Sequence, residues 1–80
     1  MRRVTLYSRP GCHLCDDARA MLERARLERP FALDEVDIES DDDLLRRYLE
    51  RIPVIALNDE EAFDLVVDES ALRERLLSLE

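Results

Sequence analysis

The sequence predicts an α/β domain, a four-stranded mixed sheet flanked by helices on both faces. Apolar residues change period along the chain, from short strand-like runs to helical spacing, in the order β-α-β-α-β-β-α. Breakers separate these segments at Arg9-Pro10-Gly11, Pro30 and Asn58-Asp59. Acidic caps open two of the helices, Ser40-Asp41-Asp42-Asp43 and Asp68.

Each element follows from its own residues. Residues 3–8 read as a strand that ends at the Arg9-Pro10-Gly11 breaker. From His13 to about Glu28, Leu14, Ala18, Met21, Leu22 and Ala25 recur at helical spacing. Asp16 and Asp17 in the first turn and Arg24, Arg26 and Arg29 near the end match the helix dipole, and Pro30 stops the helix. Phe31 to Ile38 reads as a second strand, with an alternation that slips between Leu33 and Val36. The resulting β-α-β unit should be parallel and right-handed. Beyond the Ser40–Asp43 cap, Leu44, Leu45, Tyr48 and Leu49 share one helical face. Ile52 to Leu57 reads as a short strand with Pro53 at its start, where a missing N–H is tolerable. Asn58-Asp59 is a hairpin turn and Ala62 to Val67 the returning antiparallel strand. Asp68 caps a last helix in which Leu72, Leu76 and Leu79 face inward.

Composition narrows the function classes. With 80 residues the chain makes one small domain, and its 46% hydrophobic share suffices for a core. A net charge of −8, from 20 acidic against 12 basic residues, repels nucleic-acid phosphates and anionic membranes. No apolar run approaches the roughly 20 residues needed to cross a bilayer. Met1-Arg2-Arg3 precedes only a few apolar residues before the breaker, which does not make a signal peptide. The expectation is a cytosolic protein without nucleic-acid or membrane partners. All 12 basic residues are arginine, a preference that heat adaptation and coding bias produce alike.

Chemistry concentrates in Cys12-His13-Leu14-Cys15, which holds both cysteines of the chain. In the cytosol such a pair is catalytic or metal-binding more often than a structural staple. At a helix start, free N–H groups and the dipole favour a thiolate at the first cysteine. Cys12 should therefore be the exposed nucleophile, and Cys15, one turn in and towards Ala18 and Leu22, the partly buried resolving thiol. Protonated His13 would stabilise the Cys12 thiolate, whereas the Asp16 carboxylate would raise the thiol pKa unless Arg19 draws it away. A structural zinc site needs about four ligands, and Cys12, Cys15 and His13 supply three at most, so no metal is expected within one chain. A metal or cluster shared between chains, or a redox-sensitive binding module without turnover, stays open as the alternative. Pro53 reads either as an edge-strand proline or as a cis proline facing the cysteines, with the Ile52 backbone free to pair with an incoming peptide.

The segment Val4-Thr5-Leu6-Tyr7-Ser8-Arg9-Pro10-Gly11-Cys12-His13-Leu14-Cys15 resembles the active-site segment of glutaredoxins in the thioredoxin superfamily. Ile52-Pro53-Val54 stands where that superfamily carries a cis proline, and Asn58 where glutaredoxins turn their hairpin. The resemblance spans essentially the whole chain in element order and is closest to the short glutaredoxin-like proteins of bacteria. It implies a thioredoxin-like fold and a thiol–disulfide oxidoreductase acting on protein or low-molecular-weight disulfides. It further implies Cys12 as nucleophile, Cys15 as resolving thiol, and Pro53 in the cis form with Ile52 at the substrate groove. Arg9 and Tyr7, at the strand end, join His13 as thiolate-tuning residues. The reductant would be glutathione or a thioredoxin-reductase-type system, with no bound cofactor; Arg47, Arg51 and Asp68 would contact glutathione. One departure stands out: where glutaredoxins carry Gly-Gly after the hairpin, this chain reads Phe63-Asp64-Leu65-Val66-Val67-Asp68, without glycine.

Overall fold

Strand β1 (Arg3–Ser8) leads into helix α1 (His13–Glu28), strand β2 (Ala32–Asp37) and a 3-10 turn (Ile38–Ser40). Helix α2 (Asp42–Tyr48), strands β3 (Val54–Leu57) and β4 (Glu60–Asp64) and helix α3 (Glu69–Leu77) follow. The computed structural model describes residues 3–78, so Leu79, expected on the inner face of the last helix, lies outside the described residues. The sheet order is β2-β1-β3-β4, with β1 parallel to β2 and antiparallel to β3, and β3 antiparallel to β4. This is the mixed four-stranded arrangement that the sequence predicts.

The alternation of β1 divides the molecule into two layers. Val4 and Leu6 point into the main core with Ala18, Leu22 and Ala25 of α1, Ile55 and Leu57 of β3, and Leu72 and Leu76 of α3. Tyr7 points to the other face, where Val54, Tyr48 and Ile38 form a second cluster beneath α2. Helices therefore cover both faces. The slip in β2 has the same origin: Leu33 packs on the main core, whereas Val36, three residues on, emerges beside Tyr7. Ile38 then turns inward as the first residue of the 3-10 turn rather than extending the strand.

Three expectations need correction. The returning strand is Glu60–Asp64, not Ala62 to Val67. Asn58 and Asp59 both adopt left-handed backbone (φ 49 and 71), so a two-residue turn reverses the chain and pairing begins at once, Leu57 opposite Glu60. The strand then stops at Leu65, whose φ of 61 breaks the extended backbone. Val67 packs into the main core just ahead of α3, and Val66 is left 78% exposed. Likewise β3 begins at Val54, with Pro53 outside the ladder. Finally, Leu14 and Leu49 lie on solvent-facing sides, 47% and 42% exposed. The inward stripe of α1 is Cys15, Ala18, Leu22 and Ala25.

Asp41, Asp68 and Cys12 are the N-caps of the three α-helices, each with its side chain accepting from backbone N–H groups of the first turn. Asp41 alone caps α2; Ser40 ends the preceding 3-10 turn, its hydroxyl donating to the Asp37 carbonyl.

Candidate active site

Gly11, with φ 79, turns the chain from β1 into α1. A Cβ there would meet nothing within 4 Å, so glycine is required by the backbone angle rather than by space. Cys12 follows in extended conformation as the N-cap, and the Asp16 N–H donates to its carbonyl (3.1 Å), the first turn of the helix. The Cys15 N–H donates to Cys12 Sγ at 3.1 Å. The two cysteines stand as a disulfide pair with Cα atoms 5.2 Å apart. Cys15 is wholly buried and Cys12 half-buried, so both lie deeper than their sequence positions suggest. After reduction, the same N–H and the helix dipole would face a charge on Cys12 Sγ and favour it.

The start of β3 lies at the same end of the sheet. Tyr7 pairs with Val54 across the antiparallel ladder, which brings Pro53 level with Ser8, at the sheet end from which the 9–12 loop reaches Cys12. The Ile52–Pro53 peptide is cis and Pro53 is buried. The Ile52 N–H donates to the Tyr48 carbonyl (3.0 Å), and the Pro53 carbonyl accepts from the Leu65 N–H (3.1 Å), which also donates to the Arg51 carbonyl (2.9 Å). The Ile52 backbone, expected to pair with an incoming peptide, thus has its N–H already committed to Tyr48.

The remaining candidates disperse around this centre. Arg9 pairs with Glu39 of the 3-10 turn at 2.6 Å, not with a cysteine sulfur. His13 is the exposed first residue of α1. Tyr7 stacks on Tyr48 with ring centroids 4.6 Å apart, within the second cluster. Arg51 is clamped by Glu61 (2.6 Å) and Asp64 (3.2 Å), which together raise its pKa; Glu61 also accepts from Tyr48 Oη (2.9 Å). Burial, and then that bond to Glu61, raise the Tyr48 pKa. Exposed Arg47 lies over the Tyr48 ring at 5.4 Å. Asp68 caps α3, its Oδ1 accepting from the Ser70 and Ala71 N–H groups.

A polar network beside the motif is only half legible in the sequence. Arg19 donates to Asp16 Oδ1 (2.8 Å), as the spacing allows, but it also forks onto both oxygens of Glu35 on β2. Buried Ser8 donates to Glu35 Oε2 (2.8 Å). The Arg19 bond, and to a lesser extent Ser8, hold the Glu35 carboxyl below its ordinary pKa against the opposing effect of burial. Ser8, Asp16, Arg19 and Glu35 line a cleft of about 390 Å³ with Arg9 and Gly11. The i,i+3 pair shows in the sequence; the Glu35 link depends on β1–β2 register, which it does not reveal. Among the described residues, no group of three or more His, Cys, Asp or Glu side chains is placed to hold a metal ion.

Solved structures share this architecture. A mutant thioredoxin from Halobacterium salinarum superposes with TM-score 0.71 at 21% identity, covering 96% of this chain and 73% of that one. The fold and the Cys-x-x-Cys pair at its first helix define a thioredoxin-fold protein. Nearer in sequence is the structure of protein XcR50 from X. campestris: TM-score 0.80, 35% identity, 96% of this chain and 99% of that one covered. Protein Ne2328 from Nitrosomonas europaea follows with TM-score 0.78, 29% identity, and coverage of 92% and 89%. The profile of the glutaredoxin-like domain family (DUF836) matches residues 3–77, and the chain belongs to that family. No curated protein matches the sequence.

Proposed function

We propose that this protein is a cytosolic thiol–disulfide oxidoreductase that reduces protein or small-molecule disulfides with the Cys12–Cys15 dithiol. The observation that carries the reading is the division between the two sulfurs: Cys12 caps α1 and accepts the Cys15 N–H, while Cys15 lies wholly buried beside it. Cys12 thiolate attacks one sulfur of the substrate disulfide; that S–S bond breaks and the departing sulfur leaves as a thiolate that takes up a proton. Cys15, losing its proton, then attacks Cys12 Sγ in the mixed disulfide, forms the Cys12–Cys15 bond and releases the second substrate thiol. Two electrons pass from dithiol to substrate, and an external thiol reductant, glutathione or a reductase-type system, restores the dithiol.

In this reading Ile52 and Pro53 shape the groove for the substrate's disulfide segment, and His13 and Arg9 tune the Cys12 charge, with Tyr7 acting through its stack on Tyr48. Glutathione would reach Arg47 and Asp68 more readily than Arg51, whose guanidinium already holds Glu61 and Asp64. Reduction of an insulin-type or mixed disulfide by the reduced protein tests the proposal. Cys12→Ser should abolish exchange, and Cys15→Ser should accumulate a Cys12 mixed disulfide visible by mass spectrometry. Undiminished reduction by Cys12→Ser would refute the mechanism.

A further inference from the structure

Asp16 is placed where it should oppose the chemistry just proposed. Its N–H closes the first helical turn onto the Cys12 carbonyl, so its side chain stands one turn above Cys12 on the same helix. A carboxylate there disfavours a neighbouring thiolate. The structure shows what restrains it: the Arg19 guanidinium takes Asp16 Oδ1 with one nitrogen and both Glu35 oxygens with the others. Glu35 is fixed in turn by buried Ser8 at the end of β1, the strand that delivers the motif. The guanidinium is thereby anchored to the sheet, and Asp16 is anchored to the guanidinium.

We propose that Arg19 is a positioning residue for the dithiol, which holds Asp16 against Glu35 and so keeps its negative charge from suppressing the Cys12 thiolate. The inference rests on Cys12 acting as the nucleophile, yet its readout is the titration of that thiol, not turnover. Other charges surround the motif: His13 and Asp17 on α1, Arg9 with its partner Glu39, Asp37 at the end of β2, and Arg51 with Glu61 and Asp64 beyond Pro53. None of these is bonded to Arg19, whose partners among the described residues are Asp16 and Glu35.

The experiment follows the rate of Cys12 alkylation by iodoacetamide against pH in the reduced full chain. Arg19→Ala should raise the midpoint so that the thiolate fraction below it falls about threefold or more, and adding Asp16→Asn should recover more than half of the shift. Asp16→Asn alone should change that fraction by less than about twofold, because its charge is already compensated. A merely structural role for Arg19 would lower the melting temperature and leave the midpoint in place. An unchanged midpoint in Arg19→Ala, or no recovery in the double variant, overturns the proposal. If Arg19→Ala does not fold, Asp16→Asn decides alone, and a shift above twofold overturns it. Absence of disulfide exchange by the wild type would defeat the proposed function and leave this titration result standing.

Discussion

Leu65 occupies backbone space that suits glycine, and this has a measurable sign. Its φ of 61 lies in the left-handed region, fixed by the N–H it shares between the Arg51 and Pro53 carbonyls. A side-chain-bearing residue held there loses roughly 1–2 kcal/mol relative to glycine. Glycine also gains unfolded-state freedom, which offsets about 0.5–1 kcal/mol. The leucine side chain is 47% exposed, so its truncation forfeits about 1 kcal/mol, half of a full burial. Leu65→Ala keeps the backbone penalty and loses the burial, and should be destabilised by about 1 kcal/mol. Leu65→Gly loses the same burial and escapes the penalty, and should stay within about 1 kcal/mol of the wild type. Because burial cancels between the two variants, their order is diagnostic. Thermal unfolding should show glycine above alanine by a few degrees, since 1 kcal/mol shifts Tm by roughly 4–8 °C in a domain of this size. At an ordinary loop position the order reverses. Alanine more stable than glycine would refute the reasoning.

Two further outcomes follow from the core and the ion pairs. Leu22→Ala removes a wholly buried side chain from the centre of the main core and should destabilise by about 2–5 kcal/mol in denaturant unfolding. The carboxyls of Glu35, Glu61 and Glu69 titrate below their ordinary value of 4.5, held first by Arg19, Arg51 and Arg24 respectively. Their contribution is present above that pH and is lost as pH falls through the folded-state values, so stability should decline on acidification below about 4.5. Glu35→Gln should flatten part of that decline in a pH series of melts.

Period and punctuation make most of this fold legible. β1 and α1 begin and end at the residues expected, because Gly11, Pro30 and the Cys12 cap act through local backbone preferences that a sequence displays. The second hairpin strand is harder. Glu60-Glu61 resembles solvent loop and Leu65-Val66-Val67 resembles a strand, yet the two-residue turn at Asn58-Asp59 starts pairing at once and the left-handed Leu65 ends it. The cysteine pair and its proline partner are readable as types and positions. The commitments around them are not: Arg51 to Glu61 and Asp64, Arg9 to Glu39, the Ile52 N–H to Tyr48. Such pairings span different elements and depend on register and helix placement, which no local pattern encodes.

The charge on the two outer strands bears on how two copies of this sheet would meet. β2 and β4 are the sheet's free edges, and each carries three carboxylates: Asp34, Glu35 and Asp37 on one, Glu60, Glu61 and Asp64 on the other. Arg3, Arg19 and Arg51 neutralise part of this charge and leave a surplus on a chain already at −8. A second copy seeking to add its edge strand would lay carboxylate beside carboxylate, a like-charge barrier to edge-to-edge growth. Charge at neutral pH thus disfavours edge-to-edge pairing of two such sheets.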